Sequence, residues 1–224
     1  MEKKAQIIVI DGADSTGKAT QVALLKARLE KEGVAVEKVG FPRYEQNAFG
    51  ALLRECLDGK HGDFMSLDPK IAAALFAADR FESKAELEQW LLEGKVVLFD
   101  RYVSANMMHQ GAKIDDDAQR AEFLKWLEHI EHDVFGLPRP DVTVHLNVSP
   151  EKSAKLLEYM VSIGQKTADV AEANREHQQK VARCAQQIVQ DHDGWVSIAC
   201  MDGNELRSRE DIHEEIYGIV SKYL

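Results

Sequence analysis

Apolar residues recur along this chain in two rhythms, short continuous runs and stripes spaced every three or four positions. The runs at Ile7–Ile10, Val34–Phe41 (apolar at 34, 36, 39 and 41), Lys95–Asp100, Asp141–Asn147 and Trp195–Cys200 predict five strands. The stripes predict helices between them: Val22, Leu25 and Leu29 before a stop at Gly33, Leu87, Trp90 and Leu91 before Gly94, then Phe123, Trp126, Leu127 and Ile130, and finally Ile212, Ile216, Ile219 and Tyr223. Asp68 followed by Pro69 supplies a cap and a first-turn proline, and Ser208-x-x-Asp211 resembles a capping box. Strands that are apolar on both faces and alternate with helices build an α/β fold, a parallel five-stranded sheet covered by helices on both faces through right-handed crossovers. Ligands of such sheets sit beyond the carboxyl ends of the strands. Three strand ends are thereby brought together: the residues after Ile10, the Phe41-Pro-Arg43-Tyr44 segment and Asp100-Arg101-Tyr102.

The segment after Ile10 carries the most specific chemistry. Gly12-Ala13-Asp14-Ser15-Thr16-Gly17-Lys18 follows a strand and opens a helix, the arrangement of a nucleotide phosphate loop and of the P-loop NTPase fold. Glycines at both ends let backbone N–H groups close around phosphate oxygens, where a Cβ would block the turn. Lys18 is placed to reach the β and γ phosphates of ATP, and the helix N-terminus adds its positive end. Gly12 through Thr20 are therefore the expected ATP-binding residues. One position departs from the motif: Ala19 stands where a Ser or Thr hydroxyl ordinarily meets Mg²⁺, with Thr20 next to it.

Composition sets limits. A chain of 224 residues with 45% apolar content reads as a single domain over 1–224. Its formal charge of −10, from 28 basic and 38 acidic residues, argues against nucleic acid or an anionic membrane surface as a partner, so a phosphate substrate must meet a local basic pocket. Cys56, Cys184 and Cys200 are widely spaced and form no C-x-x-C pattern, as expected of buried thiols in a reducing cytoplasm. The first apolar run stops at Asp11, too short for a signal peptide or a membrane span.

Taken in order, the segments IDGADSTGKATQ, FPRY, LFAADRF, FDRYVSANMMHQG, RPDVTVHLNVSPE and DVAE resemble the thymidylate kinase family over most of the chain. The resemblance implies transfer of the ATP γ-phosphoryl to dTMP, with Mg²⁺, by a cytoplasmic homodimer; the helix carrying Leu75 and Phe76 is one candidate contact between copies. It also assigns roles. Arg43 and Arg101 match the arginines that hold the acceptor phosphate, a task suited to bidentate guanidinium groups. Phe76 matches the aromatic that stacks on thymine, Arg80 the residue that binds a base carbonyl, and Asn106 the amide that reads the N3 and O4 edge with one donor and one acceptor. Phe41, Tyr44 and Gln110 match neighbours of the phosphate and base. Asp14 matches an acid near acceptor sugar, phosphate and metal, while Asp100, ending a strand like a Walker B acid, and Glu172, after the lid, complete the expected metal set. The lid is expected near residues 155–172.

Other charged features read as ordinary surface. His129-x-x-His132, with Glu128, Glu131 and Asp133, reads as a charged helix face rather than a metal site, and Asp115-Asp116-Asp117 as a solvated helix cap. Two departures from the family pattern bear on rate. Ser15 replaces the loop arginine of some members, and residues 153–174 contain no arginine, only Lys155 and Lys166. Lys166, in the Gly164-Gln-Lys-Thr turn, is the candidate catalytic cation of the lid. Alternative readings are a kinase of another nucleoside monophosphate and a nucleotide-binding homologue with weak catalysis.

Overall fold

The computed structural model describes residues 6–165, 167 and 169–224. Five strands, β1 (Ile7–Gly12), β2 (Val36–Gly40), β3 (Val96–Asp100), β4 (Val142–Asn147) and β5 (Trp195–Ala199), form one parallel sheet in the order β2-β3-β1-β4-β5. Each begins or ends within two residues of the boundary expected from its apolar run. The order reverses at β1, whose neighbours β3 and β4 pair with it in register at Ile10↔Asp100 and Ile10↔Val144. A sheet whose connections diverge on either side of one strand leaves a crevice at that strand's carboxyl end.

Ten helices surround the sheet: α1 (Lys18–Lys31), α2 (Ala48–Leu57), α3 (Pro69–Glu82), α4 (Lys84–Leu92), α5 (Val103–Gly111), α6 (Asp117–Glu128), α7 (Pro150–Ser162), α8 (Val170–Ala173), α9 (Arg175–Asp191) and α10 (Arg209–Val220), counted among the described residues. A short antiparallel hairpin, Met201–Asp202 with Glu205–Leu206, links β5 to α10. Alternation within the strands feeds two cores. Ile7, Val9, Val97 and Phe99 face α5, α6 and α9, where Met108, Phe123, Leu127, Val181 and Ile188 are buried. Ile8, Ile10, Leu98 and Val144 face α1 and α10, against Val22, Leu25, Leu29, Ile212 and Ile216. At about 25 cal/mol per Å² of apolar surface removed from water, these two layers carry the hydrophobic stabilisation of the fold.

Several helix ends follow their sequence signals. Asp68 accepts from the N–H groups of Lys70 and Ile71 with Pro69 in the first turn, Asp116 accepts from Gln119, and Ser208 Oγ accepts from Asp211 N at 3.0 Å. The stretch from Pro69 to Leu92 divides into α3 and α4 at Ser83, whose buried side chain is bound from outside the helix by Arg43 and Asn47. After α6 the winding loosens into a π-helical turn, His129–Val134, with Phe135 N donating to Ile130 O. Cys56, Cys184 and Cys200 are buried free thiols. Among the described residues, no helix is long and apolar enough to cross a membrane.

Candidate active site

A cavity of about 1070 Å³ opens at the carboxyl ends of β1, β2 and β3 and extends between α3, α5 and the α7–α8 region. Its lining brings together Asp14 through Thr20, Phe41, Tyr44, Phe76, Arg80, Asp100, Arg101, Asn106, Gln110 and Glu172. These residues lie as far apart as 158 positions in the chain (14 to 172) and are joined only by the strand order.

The phosphate loop has the backbone that its sequence demands. Gly12 has φ 152°, and a Cβ there would sit 2.7 Å from Leu146 O, so a side chain would drive the loop off β4. Gly17, with φ 90°, turns the chain into α1. Ser15 also adopts a positive φ, 59°, a conformation costly for a residue with a Cβ. Lys18 folds back over the loop and donates to Gly12 O at 3.0 Å and Ala13 O at 2.6 Å. Burial, reinforced by the nearby Arg101 charge and partly offset by Asp14, Asp11 and Asp100, pushes its ammonium pKa down to about 8. Asp11, absent from the sequence-based set, anchors the loop: it accepts from Gly12 N at 2.8 Å and from Ser104 Oγ at the start of α5. Its only sequence signal was a carboxylate at the end of an apolar run.

Arg101 stands at the centre. It has φ 66°, pairs with Asp14 Oδ1, and donates through Nη1 to His109 Nε2 at 3.3 Å. Burial opposes its charge, but Asp14, Asp11 and Asp100 outweigh that and hold the guanidinium protonated. His109 is driven the other way: burial lowers its pKa to about 3, so it stays a neutral acceptor. Asp14 also accepts from Gln178 Nε2 at 3.0 Å, and its carbonyl accepts from Ser153 Oγ. Arg43 takes a different place. Its guanidinium lies outside the cavity lining, donating to Ser83 Oγ at 3.0 Å and pairing with Glu86, while its backbone N–H donates to the buried Asp79 at 3.1 Å.

Aromatic residues form the middle of the cleft. Half-buried Phe76 packs edge-on to Phe64, with centroids 6.0 Å apart, and leaves a face to the cavity. The Arg54 guanidinium lies 4.0 Å from the Tyr44 ring, whose hydroxyl pKa burial pushes up to about 12. Arg80 and Asn106 meet a residue the sequence reading had left on a solvated surface. Glu131, fully buried on the π-helical turn, accepts from Arg80 Nε at 2.6 Å and Arg80 Nη2, and from Asn106 Nδ2 at 2.9 Å. Its signal was present in the sequence, because it falls four residues after Leu127 on the apolar stripe of α6.

Three buried polar atoms on this cleft have no hydrogen-bond partner among the described residues: Ser15 Oγ, Gln21 Oε1 and Gln110 Oε1. Buried acceptors and hydroxyls are nearly always satisfied, so their gathering on one cavity marks it as made for a polar ligand. Asp14 and Asp100 line the phosphate side, and Glu172 Oε2 accepts from Asp169 N in a capping box on α8. No three His, Cys, Asp or Glu side chains among the described residues converge into a protein metal cage. Lys166 lies outside the described residues.

Comparison with known proteins agrees with this geometry. The family described as "Thymidylate kinase" matches residues 10–216. A "Thymidylate kinase" of Mycobacterium tuberculosis is 35% identical over 145 residues, covering 65% of this chain and 67% of that one. One from Plasmodium falciparum is 28% identical over 221 residues, 99% of this chain and 92% of that one. A "Probable thymidylate kinase" of Thermococcus onnurineus is 32% identical over 222 residues, 97% and 98% respectively. The match runs from the first strand to the last helix and takes in every segment that lines the cleft, and on that ground the chain belongs to the thymidylate kinase family.

Proposed function

We propose that this cleft holds ATP on the phosphate loop and dTMP against Phe76, Arg80 and Asn106, and passes the γ-phosphoryl between them across Arg101. As a member of its family the chain is an enzyme, and the reaction is phosphorylation of dTMP. The observation that carries the site assignment is the one cavity in which the phosphate loop, the guanidinium groups of Arg80 and Arg101, the half-buried Phe76 ring and the unsatisfied Gln110 amide oxygen meet. Phosphoryl transfer needs positioning and charge more than covalent chemistry, and these residues supply both.

Each side chain has a definite task in this reading. Backbone N–H groups of Ala13 through Lys18 cradle the donor phosphates, and the Lys18 ammonium leaves the Gly12 and Ala13 carbonyls for the β and γ oxygens. Phosphate charge restores the full protonation that burial opposes. Arg101, already charged and held by Asp14, meets the acceptor phosphate and the transferring group. Arg43 joins it by giving up Glu86, an exchange that costs little because a half-exposed ion pair contributes about 0–1 kcal/mol. Gln110 Oε1 and Tyr44 line the sugar and phosphate of the acceptor. Bound Mg²⁺ would neutralise developing charge, and Asp14, Asp100 and Glu172 are the residues that would hold it. The segment 155–172 serves as the lid of a single 1–224 domain; Leu156, Tyr159, Met160 and Gln165 already face the cavity. The protein works as a cytoplasmic homodimer, a reading supported by exposed Ile71 and Phe81 on α3.

The test is ADP release with ATP and Mg²⁺ against dTMP, dUMP, dCMP, UMP, dGMP and AMP. Turnover confined to dTMP and dUMP is expected; equal turnover of purine monophosphates, or none with any acceptor, overturns the reading.

A further inference from the structure

Glu131 is a carboxylate with no contact to solvent, and nothing in phosphoryl transfer calls for it. Its burial is expensive and must be balanced by its partners. Those partners are the two side chains proposed to read the base. Arg80, 2% exposed, spends its Nε–H and one Nη2–H on Glu131, and one Nη1–H on Tyr102 O at 3.4 Å. A guanidinium has five N–H donors, so one on Nη1 and one on Nη2 are left on a side chain that lines the cavity. Asn106 Nδ2 donates to Glu131 Oε1 at 2.9 Å and to Ala73 O at 3.0 Å, which uses both amide protons. An ionised carboxylate and a backbone carbonyl are acceptors only, so the amide cannot turn its oxygen toward them. Oδ1 is the group Asn106 has left to offer a base.

We infer that Glu131 is a specificity-determining positioning residue: by fixing Arg80 as donor and Asn106 as acceptor, it gives the base wall a polarity that accepts thymine or uracil and rejects cytosine. Thymine and uracil present an O4 acceptor beside an N3–H donor, complementary to Arg80 N–H and Asn106 Oδ1. Cytosine presents an N4 donor beside an N3 acceptor, so both contacts become donor against donor and acceptor against acceptor. A free asparagine could flip to suit either base; one clamped by two acceptors cannot. The inference rests on the proposed dTMP site and goes beyond it, because the amide expected to offer both a donor and an acceptor offers an acceptor alone. The π-helical turn serves this end by setting a carboxylate, rather than another apolar side chain, behind α3 and α5.

The same chemistry makes an internal control. The 5-methyl group that separates thymine from uracil sits on C5 beside O4 and neither donates nor accepts a hydrogen bond, so the donor and acceptor pattern that Glu131 fixes is the same for dTMP and dUMP. Glu131→Gln keeps the shape and loses the acceptor-only carboxylate. Steady-state kinetics on this variant should show the ratio of kcat/KM for dTMP over dCMP falling at least about tenfold, the size of one lost charged hydrogen bond. The dTMP-to-dUMP ratio and KM for ATP should not move. A folded Glu131→Gln enzyme that retains the parental dTMP-to-dCMP ratio overturns the inference, as does one in which all substrates, ATP included, weaken together. The parent protein supplies a reading independent of any folding defect: 3-methyl-dTMP, which has no N3–H, should bind at least about tenfold more weakly than dTMP, and equal binding overturns the inference. A parent that phosphorylates neither dTMP nor dUMP would instead refute the proposed substrate, an outcome distinct from either.

Discussion

The phosphate end of the cleft and its base end are built by opposite means. Contiguous chain makes the first: Gly12 through Thr20 follow one another in sequence, their backbone amides form the cradle, and Lys18 with Arg101 adds charge beside Asp14, Asp11 and Asp100. Pieces of three elements make the second. Arg80 comes from α3, Asn106 from α5 and Glu131 from the turn after α6, and their charges are balanced inside the protein before any ligand arrives. In the proposed reading the phosphate end binds through charge that a ligand completes, and the base end through a pattern of donors and acceptors fixed beforehand. Complementary charge steers and orients the ligand, and a rigid pattern of donors and acceptors gives selectivity.

The largest expected effect tests the phosphate end. Lys18→Ala should reduce turnover by at least on the order of 10³, the lower range for losing a cation at a transferring phosphoryl, with dTMP binding measured by calorimetry left nearly intact. If Lys18→Ala turns over at the parental rate, the loop is not the donor site. The base end should respond in the reverse sense: Asn106→Ala should raise KM for dTMP by roughly 10- to 100-fold, from the 1–3 kcal/mol cost of an unmet buried hydrogen bond, and leave KM for ATP unchanged. Equal changes in both constants would erase the distinction between the ends.

Acid should separate them by stability. His145 on β4, beside Asp11, and His177 on α9 are buried, and burial lowers each pKa from 6.5 to about 4. The folded state therefore binds fewer protons than the unfolded one between these values. The stability this contributes is complete above pH 6.5 and is lost as the pH falls through about 4, as much as about 3 kcal/mol for each ring. Hydrogen exchange at pH 4.5 and 7 should show the loop, β4 and the start of α9 opening in acid before α3; uniform opening would contradict the assignment. The smallest effect concerns Arg43. Glu86→Gln should lower KM for dTMP by up to about fivefold, because an exposed pair worth up to about 1 kcal/mol no longer competes for the guanidinium. An unchanged or higher KM would show that Arg43 does not exchange partners.

Legibility followed the same division. The phosphate loop could be read directly, since its spacing is the geometry; the five strands were equally plain because each is a short run rich in apolar residues between helical stripes. Arg80, Asn106 and Arg101 were named through resemblance, as was Asp14, which pairs with Arg101; Glu131 and His109, which also hold them, were not. Glu131 was read with the charged residues around it as a solvated face, because charge is a strong cue for exposure and the loosened turn that buries it leaves no mark in composition. Its place on the apolar stripe after Leu127 outweighed its chemistry. Asp11 and Asp79 escaped for a related reason: each works through a contact remote in sequence, Asp11 with the Ser104 hydroxyl and Asp79 with the Arg43 N–H. Periodicity reports which face a residue occupies. It is silent on what it meets there.

Ser153 and Gln178 stand at the two ends of the stretch that carries the rest of α7, all of α8 and the start of α9, and both fasten to Asp14, one through its carbonyl and one through its carboxylate. A strap buckled twice to a single residue can lengthen or shorten without its buckles moving. Closing a longer loop costs only about 0.6 kcal/mol for each doubling of length, so insertions between these points would scarcely disturb folding while changing what the strap lays across the proposed donor site. If the stretch is the lid proposed above, its reach is free to drift while the loop beneath it stays bound to its spacing.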